Sequence, residues 1–147
     1  NQIFKVNVFS IVEIISIFLN KRVNNDSLKN IIFISAILAK YGSKGHHLYS
    51  STKAALDGLM RSLAVELAPN IRVNSILPGA VESKMSKDLL SNKDMYNKIS
   101  NDYPLGIGNP KQISPIVKFL LSENDSSWIT GQEFILDGGR TINISNK

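Results

Sequence analysis

Tyr49 and Lys53 stand four residues apart, a spacing that puts both side chains on one face of a helix. A phenol with a reference pKa of about 10 exchanges its proton more readily near neutral pH when an ammonium favours the phenolate. The chemistry such a pair offers is general acid–base transfer to and from an oxygen. An ordinary surface pair has the same spacing, so the surroundings decide. In YSSTKAALDGL, Ser50, Ser51, Thr52, Ala54, Ala55 and Gly58 are small residues that admit a neighbouring backbone or a flat ligand.

Other chemistries have little support. The 147 residues include no cysteine, hence no disulfide framework, thiolate metal site or Cys nucleophile. A reducing, cytoplasmic location is the matching expectation. His46 and His47 are adjacent and lack zinc-ligand spacing, so no metal is expected and both read as loop histidines facing solvent. The charge of +5 comes from scattered Lys and Arg with few aromatics. This describes a solvated surface without a nucleic-acid partner. The apolar stretch Ile3 to Leu19 is interrupted by Lys5, Asn7, Ser10, Glu13 and Ser16. It reads as a buried helix, neither a membrane span nor a signal peptide.

The elements that must position the pair follow from hydrophobic periodicity. Ile3 to Asn20 carries Phe4, Val8, Ile11, Ile15 and Phe18 on one stripe and Ile3, Ile14 and Ile17 on another. Asn30 to Ser35 is a continuous apolar run, the mark of a strand covered on both faces. Tyr49 to Ala68 repeats Leu56, Leu59, Met60, Leu63 and Leu67 at helical spacing before Pro69. Ile71 to Leu77 is a second strand ending at Pro78-Gly79. Weak helical signals run from Ser83 to Tyr103, Pro110 opens another amphipathic helix, and Glu133 to Asp137 forms a last strand. Strands alternating with helices predict an α/β fold with a parallel, doubly wound sheet. Ligands of such sheets sit beyond the carboxyl ends of the strands, at Ser35-Ala36, Pro78-Gly79 and Asp137-Gly138.

At this point the chain resembles the classical short-chain dehydrogenase/reductase family over nearly its whole length. NIIFISA followed by YSSTK is similar to that family's serine-bearing strand and YxxxK helix. RVNSILPGAVES resembles its strand and Pro-Gly turn against the nicotinamide, and PLGIGNPKQI, SSWITGQ and LDGG resemble its C-terminal signature. The resemblance implies the C-terminal part of a Rossmann-like domain working with NAD or NADP on a small carbonyl or alcohol. The first substrate expectation is a 3-oxoacyl compound, with sugars and polyols next. Tyr49 would be the general acid/base and a cofactor contact. Lys53 would depress its pKa and bond the nicotinamide ribose, and Asn7 would help hold a relay water. Pro78 and Gly79 would shape the cofactor turn, with Val81 and Ser83 meeting the carboxamide. Without the family, Asn7 reads as a surface amide, Pro78-Gly79 as a strand-ending turn and Ser83 as a helix N-cap.

Two departures bear on activity. The family's serine lies thirteen residues before the Tyr, and that position is Ala36, leaving Ser35 as the candidate hydroxyl. One place along a strand reverses the side-chain direction, so Ser35 reaches the site only if the chain bulges there. No TGxxxGxG-type turn is present, so roughly a hundred residues of dinucleotide-binding half are expected outside this sequence. The alternative function is a non-catalytic relative acting as a scaffold or assembly subunit. Surplus apolar surface on the first and Tyr-bearing helices predicts a homodimer or homotetramer.

Overall fold

The computed structural model describes residues 2–144. The N-terminal helix runs over Gln2–Leu19 as α1 (Gln2–Phe4), a π-helical turn (Lys5–Phe9) and α2 (Ser10–Leu19). The wider turn shifts the stripes that an uninterrupted α-helix would present. Ile11 and Ile15 pack against the core, whereas Val6, Phe9, Ile14, Ile17 and Phe18 are exposed. The expectation of a buried helix is therefore corrected: it is docked on one side and open on the other. Its length and composition would also suffice to cross a membrane. After α3 (Lys21–Asn24) the chain turns through left-handed Asn25 and Asp26, a conformation these short polar side chains tolerate.

Three parallel strands, β1 (Asn30–Ile34), β2 (Arg72–Pro78) and β3 (Glu133–Leu136), lie in the order β1-β2-β3. Asn30 pairs with Arg72 and Ser75 with Glu133, so the strand ends reach one common rim. On one face α4 (His47–Glu66) lays Leu56, Met60, Leu63 and Ala64 against Phe33 and Val73. α7 (Pro110–Leu121) packs against β1, and the Arg72 guanidinium ties β2 to it by donating to the Leu120 carbonyl at 2.9 Å. Asn109 caps α7 reciprocally with Gln112, and Pro110 stands where a helix needs no N–H donor. The weak signals of the middle segment resolve into α5 (Lys87–Ser91) and α6 (Lys93–Ser100).

Met60 is fully buried at the centre of the α4 contact. Met60→Ala is expected to cost about 2–5 kcal/mol of unfolding free energy, since a close-packed core fills the void only in part. Chemical denaturation of parent and variant checks this.

Candidate active site

The strand rim opens into a cavity of about 700 Å³ lined by Tyr49, Ala36, Pro78, Gly79, Tyr103 and Arg140, among others. The first turn of α4 carries Tyr49 to it, and Lys53 stands one turn behind, outside the cavity lining. Lys53 Nζ donates to the Ile34 carbonyl at the end of β1, 2.9 Å away, and lies 5.7 Å from the Tyr49 ring centroid. The pair expected from its spacing is thus assembled on one helix face beside the strand ends. Its electrostatics differ from expectation. Burial raises the Tyr49 phenol above its ordinary value, desolvation disfavouring the phenolate. Burial likewise lowers Lys53, opposed by the charge of Asp57.

Asn7 lies in the π-helical turn, and its amide donates to Thr52 Oγ1 at 3.0 Å. Thr52 is fully buried and donates in turn to the Tyr49 carbonyl at 2.7 Å. The side chain is therefore no solvent-facing amide; it locks the N-terminal helix onto the segment that holds Tyr49 and Lys53. π-turns of this kind recur where a helix must present a particular group.

Ser35 does not reach the cavity. Strand alternation sends it to the α4 face with Ile31 and Phe33, where it is buried and donates to the Lys53 carbonyl at 3.3 Å. No bulge intervenes, and the methyl of Ala36 occupies the rim instead. Ser35 as a catalytic hydroxyl is corrected on that ground. Val81 and Ser83 also lie elsewhere. The Val81 carbonyl accepts from Ser86 Oγ at 2.8 Å, and Ser83 exchanges hydrogen bonds with Ser86 at the start of the next helical segment. Neither residue lines the cavity.

Several cavity residues carry no signal in the local sequence. Tyr103 stacks over Gly79 so closely that a Cβ there would meet its Cε1 at 2.7 Å, and its oxygen accepts from the Ala80 N–H at 2.9 Å. A side chain at 79 would also meet Asp137 Cα and Cβ at 3.0 Å, so both the ring and that backbone would have to shift. Arg140 pairs with Asp102 at 3.2 Å, and Ser43 bonds His46 at 3.1 Å. His46 is exposed in the loop before α4, as expected of it, and stands at the edge of the cavity.

One turn beyond Lys53, Asp57 is buried between α4 and β2. Its Oδ1 accepts from Ser75 Oγ at 2.9 Å while Oδ2 has no hydrogen-bond partner among the described residues. Burial raises its carboxyl above the usual range, against hydrogen bonds from Ser75 and Ser35 that lower it. A carboxyl raised on folding contributes stability that is full below its unfolded value and is lost as pH rises through the folded one. Asp57→Asn removes that dependence. Melting temperatures measured from acid to neutral pH should therefore show the variant gaining on the parent as pH rises. A constant difference would contradict this reading.

The profile of a family described as enoyl-(acyl carrier protein) reductase matches residues 1–141. A tropinone reductase homolog of Arabidopsis thaliana is 40% identical over 116 residues, spanning 78% of this chain and 36% of the relative. A 3-oxoacyl-acyl-carrier-protein reductase of Buchnera aphidicola is 38% identical over 144 residues, 95% of this chain and 56% of its own. Among solved structures, a 4-hydroxyisoleucine dehydrogenase mutant complexed with NADH and succinate superposes with a TM-score of 0.83 at 31% identity. That match covers 94% of this chain and 57% of the other. The chain thus spans roughly a third to somewhat over half the length of these relatives. With the parallel α/β sheet and the YSSTK helix at its rim, these matches show that the chain belongs to the short-chain dehydrogenase/reductase family.

Proposed function

We propose that the protein carrying this chain is an NAD(P)-dependent oxidoreductase that interconverts a carbonyl and a secondary alcohol. The observation that carries the reading is the Tyr49 phenol in the rim cavity beside Pro78-Gly79, with the Lys53 ammonium one helical turn behind. The nicotinamide supplies or accepts the hydride when bound. The donor set suits its nicotinamide–ribose end: an ammonium and a phenol on one helix face, with the backbone of the Pro78-Gly79 turn opposite.

Tyr49 gives its proton to the carbonyl oxygen in reduction and takes it from the hydroxyl in oxidation. Lys53, whose ammonium is bonded to the Ile34 carbonyl, would hold the ribose hydroxyls and favour the phenolate through its charge. Asn7, through Thr52, keeps this turn of α4 in place. Among the described residues β1 has a neighbour only at β2, so its other edge is where a dinucleotide-binding half would pair. The exposed face of the N-terminal helix forms the contact of a homodimer or homotetramer. Light scattering that finds only monomer in the intact protein would refute that assembly.

The relatives' names favour an enzyme over a scaffold, since they are reductases and dehydrogenases. One assay tests the reading. The intact protein, with its dinucleotide-binding half, is mixed with NADH or NADPH and a panel of 3-oxoacyl, keto-sugar and simple ketone substrates. Loss of reduced-nicotinamide absorbance is expected. No turnover on any member, in either direction, would overturn the reading.

A further inference from the structure

Resting on the hydride-transfer reading above, we infer that the Tyr103 hydroxyl is the second hydrogen-bond donor to the substrate's carbonyl oxygen, in the place left without a hydroxyl by Ala36. A carbonyl that becomes an alkoxide needs more than the donor that protonates it. Removing one preorganised donor from a developing oxyanion costs about 10²–10³ in rate. Ala36 presents a methyl to the cavity, and the Ser35 hydroxyl is spent on the far side of the strand.

The other hydroxyls that line the cavity are committed or remote. Ser43 is bonded to His46, the Thr141 side chain hydrogen-bonds the Asp137 carboxylate, and Tyr41 is largely exposed. Tyr103 differs on each count. Its ring is fixed against Gly79, next to the turn that would face the nicotinamide. Its oxygen accepts from Ala80, which uses a lone pair and leaves the O–H proton without an acceptor among the described residues. A hydroxyl that accepts one hydrogen bond becomes a better donor of the next. Burial raises its phenol, which keeps it neutral and able to donate. Tyr103 retains its proton throughout; the proton transferred is that of Tyr49.

The test uses the intact protein in four forms: parent, Tyr103→Phe, Ala36→Ser and the double variant. Turnover and KM are measured with the best substrate, and reduced-nicotinamide affinity by its fluorescence. Tyr103→Phe should lower kcat by about 10²-fold with KM and nicotinamide affinity little changed. Adding Ala36→Ser should restore most of the loss. An unchanged kcat in Tyr103→Phe would overturn the inference. An equal loss with Ala or Ser at position 36 would overturn it too, since that is the mark of a structural role through Ala80. A parent that is inactive until Ala36→Ser is introduced would overturn it while leaving the hydride-transfer reading intact. Inactivity of both parent and Ala36→Ser would defeat that reading and this inference with it.

Discussion

Tyr49→Phe is expected to lower hydride-transfer turnover by about 10²- to 10⁴-fold, the range that a positioned general acid or base supplies. The substitution removes one oxygen and keeps the ring, so the packing at the start of α4 survives. The effect should fall on kcat more than on nicotinamide affinity, because the lost proton transfer belongs to the transition state. The pH profile carries a second signature. Burial holds the Tyr49 phenol above its ordinary value, so the parent's reductive rate should stay level through neutral pH and fall once the raised phenol titrates. Oxidation should show the opposite limb, rising with pH as the phenolate forms. Both limbs should vanish in Tyr49→Phe. A variant that kept its rate, or kept the same limb, would show that another group moves the proton.

Lys53→Met is expected to cost about 10²–10³ in turnover, the scale for losing one preorganised charge at a reacting centre. Methionine preserves most of the stem while removing the ammonium. At 5.7 Å from the ring centroid, in a partly buried setting, that charge favours the phenolate more than the phenol. Oxidation, which draws on the phenolate, should therefore lose more than reduction. The alkaline limb should also move to higher pH. Loss of the bond to the Ile34 carbonyl should lower stability by only about 0.5–1.5 kcal/mol, which thermal melts separate from the kinetic effect. Equal losses in both directions with an unmoved profile would reduce Lys53 to a structural residue.

What could be read from the sequence was local and periodic. The β-branched run at Asn30–Ile34 and the leucine repeat of α4 sit where their periods place them. The shift of the hydroxyl from position 36 to 35 has the geometric consequence that a two-residue strand period dictates. Pro110 opens α7 where it was expected to, because a proline is tolerated in the first turn of a helix.

The remainder depended on contacts that no window of sequence contains. Tyr103 reaches Gly79 and Ala80 across more than twenty intervening residues, and Arg140 meets Asp102 across a still longer interval. The π-helical turn at Lys5–Phe9 has no residue signature, because the apolar pattern continues through it. Its evidence is the inward placement of Asn7 against Thr52. Ser83 shows how a family position and a cap compete for the same residue type: its hydroxyl is engaged with Ser86.

The central claim is that hydride and proton move together at the rim where Tyr49 stands, and isotope transfer tests it most directly. The intact protein is given nicotinamide deuterated at the hydride-donating carbon, together with its best carbonyl substrate, and the product alcohol is analysed by mass spectrometry. The account predicts one deuterium on the carbinol carbon, formed by the parent and suppressed at least about 10²-fold in Tyr49→Phe. Product without deuterium, or labelled product formed equally fast by Tyr49→Phe, would contradict it.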